Sequence, residues 1–211
     1  MTETVSRLDR RKAKTRSALI AAAQQLLAEN RTEASIQQVT ELADVGFGTF
    51  YNHFTDKAEL WRAAIYDVLQ GHADLVATAS AGIADPAEVF CVGMRLTGRL
   101  ARAMPQMARV LIHFGWQYLL DESGMSSHVR HDLQAAIDSG RFDVTDVDVA
   151  LVLTGGAMLG LVTLLDSDES LDGGALADEF AGRILRALGL TKSEARQLVA
   201  RPLPELPLPT P

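Results

Sequence analysis

DVGFGTFYNHFTDK, residues 44–57, decides the fold of the first part of the chain. Four rings, Phe47, Phe50, Tyr51 and Phe54, sit among Gly46, Gly48, Thr49, Asn52 and His53 in a chain that is only 6% aromatic. A pure core segment would not carry so many small and polar residues, and a pure surface segment would not carry the rings. A helix over 46–54 sorts the mixture. Phe50 and Phe54 are four residues apart and share a face; with Ile36, Val39, Val45 and Leu60 they can form a small three-helix core. Gly48, Thr49, Asn52 and His53 point to other faces, and Phe47 and Tyr51 flank the core edge with a part that reaches outward.

The outward set suits a nucleic-acid duplex. Gly48 lets a backbone come close. Thr49 can hydrogen-bond base edges or meet a thymine methyl, and a Phe edge can meet that methyl too. Tyr51, Asn52 and His53 can donate to phosphate oxygens. Lys57 adds a cation in the first turn of the next helix, where the helix N-terminus already favours an anion.

The flanking sequence supports this reading. Leu19, Ala22, Ala23, Leu26 and Leu27 recur at helical spacing in 10–29, and Lys and Arg crowd its first turns. Cations there oppose the helix dipole, so they need another reason, such as phosphate contact. Ser35 with Gln38 makes a capping box for a short helix that buries Ile36, Val39 and Ala43. Asp44 tolerates the left-handed conformation of a tight turn. Thr55 caps a third helix, opening with Asp56 and running through Leu60, Ala64 and Val68. Two short helices joined by about three residues form a helix-turn-helix.

The pattern V-x-x-G-T-F-Y-x-H-F-x-x-K-x-x-L from Val45 to Leu60 resembles the DNA-binding motif of the tetracycline-repressor (TetR) family of bacterial transcription regulators, and the resemblance covers residues 12 to about 65. It implies that Phe47, Gly48 and Thr49 read bases, that Tyr51, Asn52, His53 and Lys57 hold phosphates or make mixed contacts, and that Ser35, Gln37 and Lys12 meet the DNA backbone. Asp44, Gly46 and Thr40 depart from the usual glycine, serine and alanine. The operator sequence stays open.

The chain has 211 residues, 47% of them hydrophobic, enough for one or two domains with a sizeable core. One cysteine, Cys91, excludes an internal disulfide and fits a reducing cytoplasm. No apolar signal core opens the sequence. The longest uncharged run, 149–165, falls short of a membrane span and holds three glycines, so it reads as a buried helix. Residues 1–62 hold nine Lys and Arg against eight Asp and Glu, whereas 63–211 hold eleven against nineteen. The sign asymmetry places a polyanion partner at the N-terminal end.

Beyond residue 80 the pattern stays helical. Asp85 caps and Pro86 opens a helix to about Met104, and Pro105 starts another to about Leu120. A loop at Ser123-Gly124, a helix to Ser139, a helix capped by Thr145 and helices over 175–188 and 192–200 follow. The expected fold is all-α: a basic arm over 1–9, a helix-turn-helix domain over 10–56, a helical effector-binding and dimerisation domain over 57–200, and a proline-rich tail over 201–211.

Phe90, Cys91, Met94, Met107, His113, Phe114, Trp116 and Tyr118, faced by Thr154, Met158 and Leu161, describe either a core or a small-molecule pocket; the family resemblance implies a pocket. No charged residue stands among them, which points to a mainly apolar or aromatic effector. The resemblance also implies a homodimer through 146–166 and 175–188, with Gly156, Gly160, Leu164, Leu176 and Phe180 at the interface. It implies a cytoplasmic, nucleoid-associated protein as well.

No catalytic residue, metal site or cofactor is expected. His128 and His131 stand three apart without a further ligand at metal spacing, and no phosphate loop or nucleophile elbow appears. The resemblance implies a ligand-responsive regulator, a repressor released from a palindromic operator by a mainly apolar small molecule; a transcriptional activator, or an interaction adaptor with an idle helix-turn-helix, are the alternatives.

Overall fold

The computed structural model describes residues 7–120 and 125–204. The expected Ser123-Gly124 loop, residues 1–6 of the basic arm and 205–211 of the tail lie outside the described residues. Among the described residues the secondary structure is helical throughout, without strands. The chain divides into two compact units, the first closing at Val68 and the second opening at Leu69.

The first unit contains α1 (Arg7–Ala28), α2 (Ile36–Leu42), α3 (Phe47–Phe50) and the start of α4 (Lys57–Ser80). The boundary between units therefore falls inside α4 and not at residues 56/57. No proline interrupts α4, and its buried positions Leu60, Ala64 and Ile65 continue into Leu69 and Ala73 without a change of period. Leu19, Ala23, Leu26 and Leu27 of α1 are buried, and so are Val39, Phe50, Phe54 and Leu60. Ile36, Ala43 and Val45 are only half-buried; Thr40 takes the place expected for Ala43 and is 2% exposed. Its hydroxyl donates to the Gln37 carbonyl at 2.9 Å, so burial leaves its proton satisfied.

The local signals around the helix-turn-helix hold with two corrections. Ser35 and Gln38 form the reciprocal capping box, and Asp44 has φ 53° in the turn. The helix expected over 46–54, however, is a four-residue α3 followed by turns. The N–H groups of His53 and Phe54 both reach the Phe50 carbonyl, at 2.9 and 3.0 Å, which closes the helix early. Asp56 and not Thr55 caps α4: Asp56 Oδ1 accepts from the Glu59 N–H at 2.7 Å, while the Thr55 N–H and hydroxyl both donate to Glu59 Oε2. An aspartate at this position meets the helix dipole with a full charge.

The second unit holds the remainder of α4 with α5 (Pro86–Ala103), α6 (Pro105–Tyr118), α7 (Met125–Asp138), α8 (Val147–Ser167), α9 (Gly173–Ala187) and α10 (Lys192–Ala200). Asp85 caps α5 ahead of Pro86, as the sequence indicates. Asp146, not Thr145, caps α8, accepting from the Asp148 and Val149 N–H groups. Helices α5 and α9 touch at a glycine: a Cβ on Gly98 would lie 2.4 Å from that of Ala177. Arg95 and Arg99 of α5 grip Asp178 of α9 at 2.8 and 2.7 Å.

Helix α8 is longer than the uncharged run inside it. It has 21 residues, and an 18-residue window within it has a mean hydropathy of 2.0, so it is long and apolar enough, by length and composition, to cross a membrane, contrary to the sequence reading. It is not fully buried either. Val149, Val152, Leu153 and Leu164 are 60%, 42%, 44% and 44% exposed on it.

Candidate nucleic-acid interface and ligand cavity

The rings of the opening segment part company as expected. Phe50 and Phe54 are buried at 0% and 2% exposure, whereas Phe47 and Tyr51 are 52% and 55% exposed. Phe47 leans edge-on against Tyr51 with centroids 5.9 Å apart, and Tyr51 against Phe50 at 5.2 Å, so the exposed pair is braced from below. Gly48 and Asn52 are exposed and Thr49 half-buried beside them. A Cβ on Gly48 would meet nothing within 4 Å, so the packing of the chain does not itself demand glycine there.

Cations surround this face. His53 is half-buried; burial first, then the charges of Lys12 and Arg16, hold its imidazole below the usual histidine range. Its Nδ1 has no partner among the described residues. Lys12 and Arg16 are one turn apart on α1, and the Arg16 guanidinium lies 5.1 Å from the Phe54 ring centroid. Arg16 is missing from the sequence-based set, although its spacing from Lys12 puts both on one stripe. Lys57 donates to the Thr32 carbonyl at 3.1 Å and lies 6.0 Å over the Trp61 ring. An ammonium has three donors, so this anchor aims Lys57 without exhausting it. Ser35 is engaged in its cap and Gln37 in a 2.9 Å bond to Glu41, both exposed. Lys57→Ala is expected to weaken binding to every duplex and to lower the salt slope by about one; an unchanged slope removes the lysine from the phosphate set.

A cavity of about 450 Å³ opens within the second unit. It is walled by His72, Ala73, Val76, Ala77 and Ser80 of α4, by Val89, Phe90, Gly93, Met94 and Thr97 of α5, and by Leu111 and Leu119 from α6 and its end. Ser127, His128, Val129, His131 and Asp132 of α7 and Leu151, Thr154, Gly155, Met158, Leu159 and Val162 of α8 complete it. Gly93 lets α4 approach α5: a Cβ there would lie 3.2 Å from Val76 Cγ1. The size and the apolar lining with a few polar groups are those of a small-molecule site.

Of the residues that the sequence suggests for a pocket, Phe90, Met94, Thr154 and Met158 line this cavity. Met107, His113, Phe114, Trp116, Tyr118 and Leu161 do not. Met107 and Leu161 are core residues at 6% and 1% exposure; Trp116 is 60% exposed and His113 also faces outward. Helix α6 turns Leu111 to the cavity, not its rings. Conversely, His128 and His131 line the wall, and burial raises the carboxyl of Asp132 beside them, so the lining is not free of ionisable groups. No group of three or more metal-ligating side chains occurs among the described residues.

Sequence reasoning misses the contribution of α4 altogether. His72 is buried, and burial pushes its imidazole down to about 4. Its Nε2 lies 2.9 Å from Thr97 Oγ1. The available signal is that His72, Val76 and Ser80 recur four residues apart on one helix face.

On α8, Val149, Val152, Leu153, Gly156, Gly160 and Leu164 recur at three- and four-residue spacing along one stripe. Gly156 packs under the Trp116 ring, whereas a Cβ on Gly160 would meet nothing within 4 Å. Leu176 and Phe180 are half-buried and pack against the core of their own chain.

Comparison with known proteins identifies the family of both parts of the chain. Residues 19–64 match the family model of bacterial regulatory proteins of the tetR family, and residues 85–201 match that of the tetracyclin repressor-like C-terminal domain. No curated protein matches. Among solved structures, RolR without ligand is 30% identical with a TM-score of 0.69, covering 90% of this chain and 99% of that one. RolR in complex with resorcinol is 29% identical with a TM-score of 0.62, over 93% and 98%. A tetR family transcription regulator from Shewanella sp. PV-4 shares the fold at 17% identity and a TM-score of 0.74, over 84% and 99%. An exposed, braced ring pair among cations, a separate cavity and matches to both family models over most of the chain give one conclusion: the protein belongs to the TetR family of bacterial transcription regulators.

Proposed function

We propose that the protein is a homodimeric repressor that leaves a palindromic operator when a small, mainly apolar molecule fills the cavity of the second unit. One observation carries the reading. A single continuous helix, α4, holds Lys57 in its first turn and supplies His72, Val76 and Ser80 to the cavity wall. A ligand that bears differently on the wall in two positions of α4 shifts the balance between DNA-binding and released states, and only by that difference in affinity. RolR, a relative at 29% identity, is known with resorcinol bound, which favours an aromatic ligand here.

The exposed stripe on α8 supports dimerisation, with α9 beside it. Two heads spaced about 34 Å apart would read half-sites one DNA turn apart. Phe47, Gly48 and Thr49 read bases in this account; Tyr51, Asn52, His53, Lys57, Lys12, Ser35 and Gln37 hold the backbone. Such a protein works at the nucleoid.

A gel-shift titration against the DNA flanking its gene tests the proposal, with added ligand expected to release the duplex. In the same assay Thr49→Ala is expected to change the preference among operator variants by about 1–3 kcal/mol at the contacted base pair. An equal loss on every duplex would argue against base reading by Thr49.

A further inference from the structure

Two polar atoms in the cavity wall are unmatched, and both belong to α4. His72 and Ser80 are 6% and 8% exposed, both line the cavity, and neither His72 Nδ1 nor Ser80 Oγ has a partner among the described residues. A buried polar atom left without a hydrogen bond is costly and calls for an explanation.

The chemistry of the His72 orphan is fixed by its neighbour. The Thr97 hydroxyl donates to the Gly93 carbonyl at 2.8 Å. A hydroxyl has one proton, so the 2.9 Å contact with His72 must use an N–H on Nε2, with the Thr97 oxygen accepting. A neutral imidazole protonated on Nε2 leaves a bare lone pair on Nδ1. Burial keeps the ring neutral, pushing it down to about 4. That atom can only accept. It welcomes a hydroxyl or an N–H and repels a carboxylate or an ether oxygen.

Length is fixed by the helix. His72 and Ser80 are eight residues apart, a rise of about 12 Å along α4. A benzene ring bearing hydroxyls alone is shorter than that rise. Volume agrees: a cavity of about 150 Å³ suffices for benzene, and this one is about 450 Å³.

Resting on the reading of this cavity as the effector site, we propose that it takes an elongated, uncharged aromatic of about two rings, whose hydroxyl or N–H donates to His72 Nδ1 and whose far polar group meets Ser80 Oγ. The two contacts would tie the ligand to the helix that also carries Lys57.

The probes are 4,4′-dihydroxybiphenyl, its dimethyl ether and biphenyl-4,4′-dicarboxylate, with resorcinol as the one-ring control. Calorimetric titration and the ligand-induced shift in melting temperature of the full chain are the readouts. The dihydroxy compound is expected to bind at least about tenfold more tightly than each of the others, one hydrogen bond to a buried acceptor being enough for that ratio. His72→Leu is expected to erase the preference for hydroxyl over methyl ether. His72→Asn, which restores an acceptor near the same place, should return part of the preference, and Ser80→Ala should weaken the dihydroxy compound while leaving resorcinol unchanged. Equal binding of the diol and the ether, tighter binding of the dicarboxylate, or a preference that survives His72→Leu would each overturn the proposal. Operator release, followed separately with any compound that binds, reports on the repressor reading itself and can succeed while this one fails.

Discussion

Leu153→Glu is expected to leave a folded monomer and to lower operator affinity by about 10²–10⁴. The residue lies on α8 and is 44% exposed. A carboxylate there reaches water in the isolated chain, so far-UV circular dichroism should change little. In a two-fold interface the same substitution would bury two like charges against apolar partners, and an unpaired buried charge costs several kcal/mol. The stripe from Val149 to Leu164 contains no other charge to absorb it except at the helix ends, where Asp148 and Asp166 stand. Loss of the dimer removes the second head, and with it the effective concentration that makes a two-half-site operator tight. Sedimentation velocity checks the first half and anisotropy on an operator duplex the second. A Leu153→Glu protein that sediments as a dimer at the wild-type concentration range removes α8 from the interface.

Phe50→Ala is expected to cost about 3–5 kcal/mol. Phe50 is 0% exposed; Phe54 and Tyr51 pack on its ring at centroid distances of 5.9 and 5.2 Å. The first unit closes at Val68 and is small, so it has little stability in reserve. The expected result is loss of DNA binding together with loss of protection of the amides of α2 and α3 in hydrogen exchange. Amides of α5, α8 and α9 should keep their protection, and so should ligand binding in the cavity. A loss of stability below about 1 kcal/mol would show that the ring is not the keystone of the small core, since that is the range of a surface change.

How much of this was legible follows from where the signals are local. The capping box at Ser35 and Gln38, the left-handed Asp44 and the Asp85-Pro86 start each depend on residues within a turn of one another, and all three read correctly. The division of rings into inward Phe50 and Phe54 and outward Phe47 and Tyr51 also needed only helical spacing. Failures came where two local candidates compete or where a distant element decides. Thr55 beside Asp56 and Thr145 beside Asp146 are both pairs of capping residues, and in each the charged one won. The length of α3 depended on which carbonyl closes it. The cavity was harder. Trp116 and His113 carry ring content but face away, whereas the helical stripe of His72, Val76 and Ser80 is quiet in the sequence and lines the wall. Spacing shows which residues share a face, and nothing in the spacing says which neighbour that face meets. His128 and His131 read as surface residues for the same reason, and both reach the cavity.

The proposed base-reading role of the face built on α3 is tested most directly by selection of bound duplexes from a random-sequence library, followed by sequencing. The account predicts enrichment of an inverted repeat whose half-sites are centred about one helical turn apart, roughly 10 base pairs. Recovery of unrelated sequences with no shared half-site, at an affinity that depends only on salt, would contradict it.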